Sequence, residues 1–483
     1  MSGYESYDPY AMPAEAVQDP PPSLWRALRN IGPGIILAGS IVGSGELILT
    51  TSLGAEQGYV FLWLILFSCV IKVFVQVELG RFAISSAKPT LGAIDELPGP
   101  RLGTHWLVWW WQIMVLATIS QLGAMTGLIG QALHLAMPPV SPAVAGWLET
   151  VSPSMAEAAR QRPEYVWAFV TWVTVILLLL SGGYRRVEQV ATLLVATVTA
   201  LTVLCVLALP ATEYGIRWRE VAEGFRFLVP AAGIALAFGT FGITGVGATE
   251  LYAYPYWCLE KGYARFAGRR EESQAWLRRA RGWIRVMQLD AWCCMIVFTL
   301  ATVAFYFMGA AVLHPQGLRP KGKDMIFVLS QMYVGPFGLW TQIVFLIGAA
   351  AVLFKTLYVA CAAHSRLTAD FCNLAGFVHF PDARRRGRWV QAFCVGYASL
   401  ALVLFLTCGE PRGMVVFGGI AQAATLPIIS GITVYFRYRG TDPRLAPSRI
   451  SDIALWIAFV SISLVAAYAV ASQVAGLLVA SSK

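Results

Sequence analysis

The chain has 483 residues, 57% of them hydrophobic and only 13% charged, with a net charge of +9 and a mean hydropathy of +0.62. Soluble domains carry about 25% charged residues, so this composition excludes a string of soluble domains. The basic residues are scattered over separate loops, which excludes a nucleic-acid-binding surface.

From the N-terminus, residues 1–29 are rich in Pro and Tyr and lack an apolar core. They read as a disordered cytoplasmic tail without a signal peptide. Eleven apolar segments follow, at about 32–57, 58–85, 105–137, 165–180, 187–209, 228–259, 286–312, 336–363, 390–408, 413–436 and 453–474. A bilayer-crossing helix needs about 20 apolar residues. The expected fold is an all-α integral membrane protein. Lys and Arg are in clear excess in the loops that share a side with the N-terminus. The positive-inside rule then puts the N-terminus in the cytoplasm and the C-terminus outside, in a plasma (inner) membrane. The nine cysteines are scattered and form no Cys-x-x-Cys pattern, so they read as small apolar packers.

The first segment contains Gly43-Ser44-Gly45-Glu46 at mid-membrane depth. The sixth contains Gly239, Gly242, Gly245 and Gly247, followed by Ala248-Thr249-Glu250. Glycine weakens a helix by about 1 kcal/mol relative to alanine, so both segments are expected to break just before a carboxylate. Segments one and six each open a set of five, and an odd number inverts the second set in the bilayer. The chain therefore divides into 30–210, an inverted 211–437, and an additional helix in 438–483.

An intramembrane carboxylate costs about 2.5–3.5 kcal/mol on insertion scales and calls for a partner. Glu46 and Glu250, with the backbone of Gly43 and Gly247 and the hydroxyls of Ser44 and Thr249, form a candidate all-oxygen site for a hard divalent cation. Each Glu also sits where it can cap its half-helix, and the two roles are compatible. Gln422, Lys355 and His364 are candidates for lining the path. Asp290 opens the seventh segment. Lys72 and Glu78 fall near the inner end of the second, where snorkelling, or pairing with each other or with Arg81, satisfies them. The basic stretch 261–285, with Trp276 and Trp283, reads as a surface helix on anionic headgroups or as an ordinary positive-inside loop. No phosphate loop, Ser-His-Asp constellation or metal-enzyme spacing is present, so no enzyme and no cofactor are expected.

From about residue 30 to 436 the sequence resembles the Nramp (natural resistance-associated macrophage protein) family of metal transporters. The resemblance rests on Ile31-Gly-Pro-Gly34, Gln76-Val-Glu-Leu-Gly-Arg81, Gly183-Tyr-Arg-Arg-Val-Glu188 and Leu289-Asp290. It implies a LeuT-type inverted repeat of five plus five helices with one additional C-terminal helix, and cation-linked transport of divalent metals. The departures fall on functional positions. The family's Asp-Pro-Gly-Asn corresponds to Gly43-Ser44-Gly45-Glu46, and its Met-Pro-His to Leu251-Tyr252-Ala253. The acidic residues linked to proton transfer in the family's third helix correspond to Gln121 and Ala124. Loss of the thioether weakens preference for softer metals.

The leading expectation is a secondary transporter of a divalent cation such as Mn²⁺ or Mg²⁺, working by alternating access, with the cation and the bilayer as its partners. Gln121, His364, Asp290 and Lys355 are its coupling or gating candidates. The alternative is a LeuT-type carrier of a small organic solute, cationic ones included, with Tyr252, Tyr254, Tyr256 and Trp257 lining the pocket. A third reading is a membrane sensor or scaffold acting through 261–285.

Overall fold

The structure is a computed structural model and describes residues 14–28, 43–150, 152–181 and 185–481. Among them, ten helices are long and apolar enough to cross a membrane. The eleventh expected span is the first, and its opening part lies outside the described residues. Its described part begins at Gly43, winds as a π-helix over Gly45–Thr50 and continues as α1 (Thr51–Gln57). The first five are completed by α2 (Leu62–Ser86), α3 (Trp106–Ala136), α4 (Glu164–Ser181) and α5 (Arg185–Ala208). The tight link between α1 and α2 turns on Gly58, whose φ of +58° favours glycine.

The sixth span is broken into α6a (Ile234–Ile243) and α6b (Ala248–Lys261). The remaining spans are α7 (Gln274–Met308), α8 (Trp340–Leu374), α9 (Ala383–Cys408), α10 (Pro411–Arg439) and α11 (Arg449–Ser481). The eighth starts at Trp340 rather than at 336. Pro336 instead ends a separate short helix, Met325–Phe337, which stops at Gly338 with a φ of +89°.

The centre of the bundle is α3, packed by α4, α8, α9 and α10, while α6a lies along α10 and α2 lies against α6b and α7. Over their apolar windows α3 and the sixth span are each 78% buried and α4 only 22%, which makes α4 a lipid-facing helix. The close approach of α6a to α10 depends on glycine: a Cβ on Gly242 would collide with the carbonyl of Gly419. Small residues at such a crossing let backbones touch without side chains between them.

Two expectations about the 261–285 stretch and the N-terminal segment are corrected. The 261–285 stretch is neither a lipid-surface helix nor a plain loop. Residues 274–285 are the N-terminal extension of α7, and both tryptophans turn into the protein, with Trp276 Nε1 donating to Gly268 O (3.1 Å) and Trp283 Nε1 to Gln18 O (3.0 Å). Amphipathic rings with a donor N–H satisfy both needs better in a protein groove than among headgroups. Residues 14–28, expected to belong to a disordered tail, are ordered against that extension, and Gln18 N donates to Phe266 O (2.9 Å). The 440–448 turn is fastened there as well. Asp442 is buried between Arg444 (2.9 Å) and Arg270 (2.8 Å), whose hydrogen bonds hold its carboxyl well below the usual carboxylate range.

Candidate functional site

The break in the sixth span is built from Thr244 to Gly247. Thr244 leaves helical geometry (φ −72°, ψ 134°), Gly245 takes a φ of +69°, and Gly247 caps α6b in extended geometry. A severed helix leaves carbonyls without intrahelical donors, and here they are met by α2. Lys72 Nζ donates to Thr244 O (2.8 Å) and to Phe241 O, and Ser68 Oγ donates to the same two carbonyls (3.2 and 3.4 Å). Lys72 is fully buried, with its ammonium 4.8 Å from the centre of the Phe241 ring. The expected snorkelling of Lys72 is therefore corrected: a cation at a helix C-terminus is favoured by the helix dipole, and the broken span offers such an end inside the membrane. Glu78 does pair with Arg81, at 2.9 Å.

Removal of this ammonium strips two buried carbonyls of their main donor. Lys72→Met is expected to destabilise the fold by about 3 kcal/mol, measured as a lower unfolding midpoint of the purified protein in detergent. An unchanged midpoint would show that the carbonyls find other donors.

Both glutamates lie in the first turn of a helical segment preceded by glycine, but their surroundings differ. Glu46 Oε2 accepts from Gly43 N (3.3 Å), the reach-back half of a capping box. Its Oε1 accepts from Gly245 N (3.3 Å) in the sixth-span break and from Thr302 Oγ1 (3.3 Å) on α7. Both oxygens are thus engaged, the residue is 0% exposed, and it ties Gly43 at the start of the described first span to the break in the sixth. The expectation that Glu46 and Glu250 line one shared cup is corrected: Glu46 is not on the cavity wall, because its lone pairs are turned toward backbone donors and Thr302.

Glu250 is on that wall. The cavity is small, about 40 Å³, and is bounded by Ser44 and Gly45, the α3 residues Thr118, Gln121, Leu122 and Met125, then Ile243, Thr249 and Glu250 of the sixth span, Thr356, Ala360 and His364 of α8, and Gln422 of α10. One hydrogen-bonded chain runs around it. Gln121 Nε2 donates to Ser44 Oγ (3.0 Å), and Gln422 Nε2 donates to Gln121 Oε1 (3.1 Å). Gln422 Oε1 accepts from Thr249 N (3.3 Å), and the single proton of Thr249 Oγ1 is shared between Glu250 Oε2 (2.8 Å) and Gln422 Oε1 (3.1 Å). Four separate helices are linked in this way. Gly247 permits the approach, since a Cβ there would stand 2.5 Å from both Gln422 Oε1 and Glu250 Oε2. Gly43 permits another, since its Cβ would strike Thr356.

The structure therefore gathers Ser44, Gln121, Thr249, Glu250, Gln422 and His364 around one space, with Gly43 and Gly247 as its close-packing points. Three sequence candidates lie elsewhere. Lys355 donates to Thr192 Oγ1 (2.9 Å), toward α5, because its side chain leaves α8 on a different face from its neighbour Thr356. Asp290 is buried in α7 off the cavity wall. Leu251 is fully buried and is also absent from the wall, one residue of helix rotation having turned it away from Glu250. Tyr252, Tyr254, Tyr256 and Trp257 are buried without lining the cavity. Missed from sequence were Thr118, Met125 and Thr356. The spacing Thr356, Ala360, His364 places one residue per turn on a single face, a signal that was available. Among the described residues no three His, Cys, Asp or Glu side chains converge as a preformed metal cluster.

The profile of the Natural resistance-associated macrophage protein-like (Nramp) family matches residues 34–472. The chain belongs to the Nramp family. No curated protein sequence matches it. The Nramp chain is similar to a manganese transporter of Eremococcus coleocola, crystallised with an aromatic bis-isothiourea substituted compound. The two share 15% identity, with 96% of this chain and 90% of the other covered at a TM-score of 0.65. It is also similar to MhsT in complex with L-phenylalanine (14% identity, 94% and 99% covered, TM-score 0.55). A third likeness is a nucleobase-cation-symport-1 family transporter with bromovinylhydantoin bound (13% identity, 96% of each covered, TM-score 0.54). These likenesses establish the LeuT-type fold for this Nramp chain.

Proposed function

We propose that this Nramp-family chain is a secondary transporter of a divalent metal cation, held by the Glu250 carboxylate and by the amide and hydroxyl oxygens of Gln121, Gln422, Ser44 and Thr249. The observation that carries the proposal is the position of Glu250: it is the acidic residue on the wall of a small cavity whose other polar groups are mainly neutral oxygen donors. A negative charge with uncharged oxygens around it suits a hard divalent ion that keeps part of its water shell. Membership of the Nramp family and similarity to a manganese transporter support the same reading.

The cavity volume separates this from the organic-solute alternative. About 40 Å³ admits an ion with a few waters, given roughly 10–15 Å³ for each water. Small-molecule pockets commonly measure about 300–1,000 Å³. The aromatic residues that would have lined a solute pocket are off the wall, which weighs the same way.

Alternating access requires a closure on each side of the ion. Glu56 at the end of α1 pairs with Arg412 at the start of α10 (2.6 Å), joining the two halves beyond the breaks. One turn past His364, Thr368 Oγ1 lies 2.6 Å from the Tyr397 hydroxyl of α9. These contacts are proposed as the two closures. The proposed placement is in the plasma (inner) membrane with the N-terminus cytoplasmic and the C-terminus outside, which the Lys and Arg bias supports.

A ligand that binds the folded state alone stabilises it by RT ln(1 + [L]/Kd), about 2.7 kcal/mol at one hundred times Kd. Saturating Mn²⁺ is expected to raise the thermal midpoint of the purified protein by that order, and amines or amino acids are expected to leave it unmoved. The reverse pattern would overturn the proposal in favour of an organic solute.

A further inference from the structure

His364 belongs to α8, faces the cavity wall one turn beyond Ala360, and is only 6% exposed. Its Nδ1 is buried with no hydrogen-bond partner among the described residues. Its ring meets that of Tyr397 edge-on at 6.0 Å, a contact that fixes the ring without satisfying a nitrogen. Native proteins seldom leave a buried imidazole nitrogen unsatisfied, because the lost hydration costs about 1–3 kcal/mol. An imidazole that lines a cavity and carries an unsatisfied nitrogen is a place where another group can bind. The same cavity is lined by Glu250, Gln121, Gln422, Ser44 and Thr249 from other helices, and by Thr356 on the same face of α8.

We propose that His364 is a specificity-determining ligand that gives the cavity a nitrogen donor for the cation, and so shifts its preference from alkaline-earth ions toward borderline divalent ions such as Co²⁺, Fe²⁺ and Mn²⁺. This rests on the divalent-cation reading above and deepens it. An all-oxygen site discriminates poorly against Mg²⁺ and Ca²⁺, whereas imidazole binds first-row transition ions far better than it binds Mg²⁺. The nitrogen therefore does what the leucine at position 251 cannot. The coordination is direct or through one water of the retained shell, and either places nitrogen magnetically close to the ion. His364 acts on selection between ions and not on whether an ion is held, since the charge that holds it is that of Glu250.

The test uses the full chain purified in detergent, titrated with Mn²⁺, Co²⁺ and Mg²⁺ alone, with nitrogen hyperfine coupling read from bound Mn²⁺. The wild type is expected to bind Co²⁺ more tightly than Mg²⁺ and to show nitrogen coupling. His364→Gln, which keeps a polar side chain of similar reach, is expected to lose roughly tenfold in Co²⁺ affinity, change Mg²⁺ affinity by less than about twofold, and lose the coupling. His364→Asn provides a second readout if the first variant folds poorly. Saturable Mn²⁺ binding without nitrogen coupling, or equal losses for Co²⁺ and Mg²⁺, would overturn the role of His364 and leave the transport reading standing. Absence of saturable binding by any divalent ion in the wild type would overturn the transport reading itself.

Discussion

Glu250→Gln is expected to reduce metal uptake into proteoliposomes on the order of 100-fold at subsaturating Mn²⁺, equivalent to about 2.7 kcal/mol, with the protein still folded. The substitution keeps size and shape and removes only the charge. Thr249 Oγ1 can still donate to an amide oxygen at the position of Glu250 Oε2, and the ring of amides through Gln422 and Gln121 is untouched. The ion, however, loses the negative charge on the cavity wall. Neutral oxygens alone leave a divalent ion with far less electrostatic gain than it surrenders in hydration. Fold retention is checked by an elution profile and thermal midpoint close to wild type. Uptake at the wild-type rate would mean that the ion travels by a route that avoids Glu250, and the proposed site would be abandoned.

The helices and breaks of this protein are written in local sequence, and the side on which each polar group works is not. Hydropathy located all ten described spans to within a few residues at most ends, because lipid demands long apolar helices wherever the chain crosses. The glycine runs located the sixth break for a similar reason: Gly245 sits where the backbone needs a positive φ. The division of labour between Glu46 and Glu250 could not be read in this way. The two occupy equivalent positions after equivalent glycines, and what separates them is who stands opposite. Thr302 on α7 and Gly245 meet one, while the cavity shared with α3, α8 and α10 meets the other. Those neighbours are far away in sequence, and a single chain carries no mark of the pairing.

Lys72 makes the same point more sharply. In the sequence it is a lone cation in an apolar run, and snorkelling is its commonest fate there. Its actual partners are carbonyls 169 and 172 positions away, exposed only because another helix breaks. The result is a coherent electrostatic arrangement. One ammonium closes the C-terminal end of α6a, one carboxylate bridges Gly43 of the first span and Gly245 in the sixth-span break, and a second carboxylate is left for the cavity. The Trp276 and Trp283 misreading has a related origin. A basic, tryptophan-bearing segment has the composition of an interfacial helix, but composition does not say whether protein or lipid covers the rings.

Glu46 should fail differently from Glu250 when it is changed. Glu46→Ala is expected to destabilise the protein by about 3–5 kcal/mol, the range for removing one member of a buried, hydrogen-bonded charged network. It leaves Gly43 N and Gly245 N without their acceptor and opens a void between α1, the sixth break and α7. Glu46→Gln keeps one carbonyl oxygen and replaces the other with a donor, so one backbone N–H would face an N–H₂ group. Its expected cost is about half as large, in the range for a single unsatisfied buried group. In contrast to Glu250→Gln, the Glu46→Gln protein that remains folded should bind Mn²⁺ within a few-fold of wild type, because neither carboxylate oxygen reaches the cavity wall. The measurements are unfolding midpoints for both variants and a Mn²⁺ titration of Glu46→Gln under conditions where it is folded. A variant of wild-type stability that has lost Mn²⁺ affinity would reverse the assignment and make Glu46 the ion's ligand. Loss of stability with affinity preserved would fix it as the clamp that holds the first span against the break in the sixth.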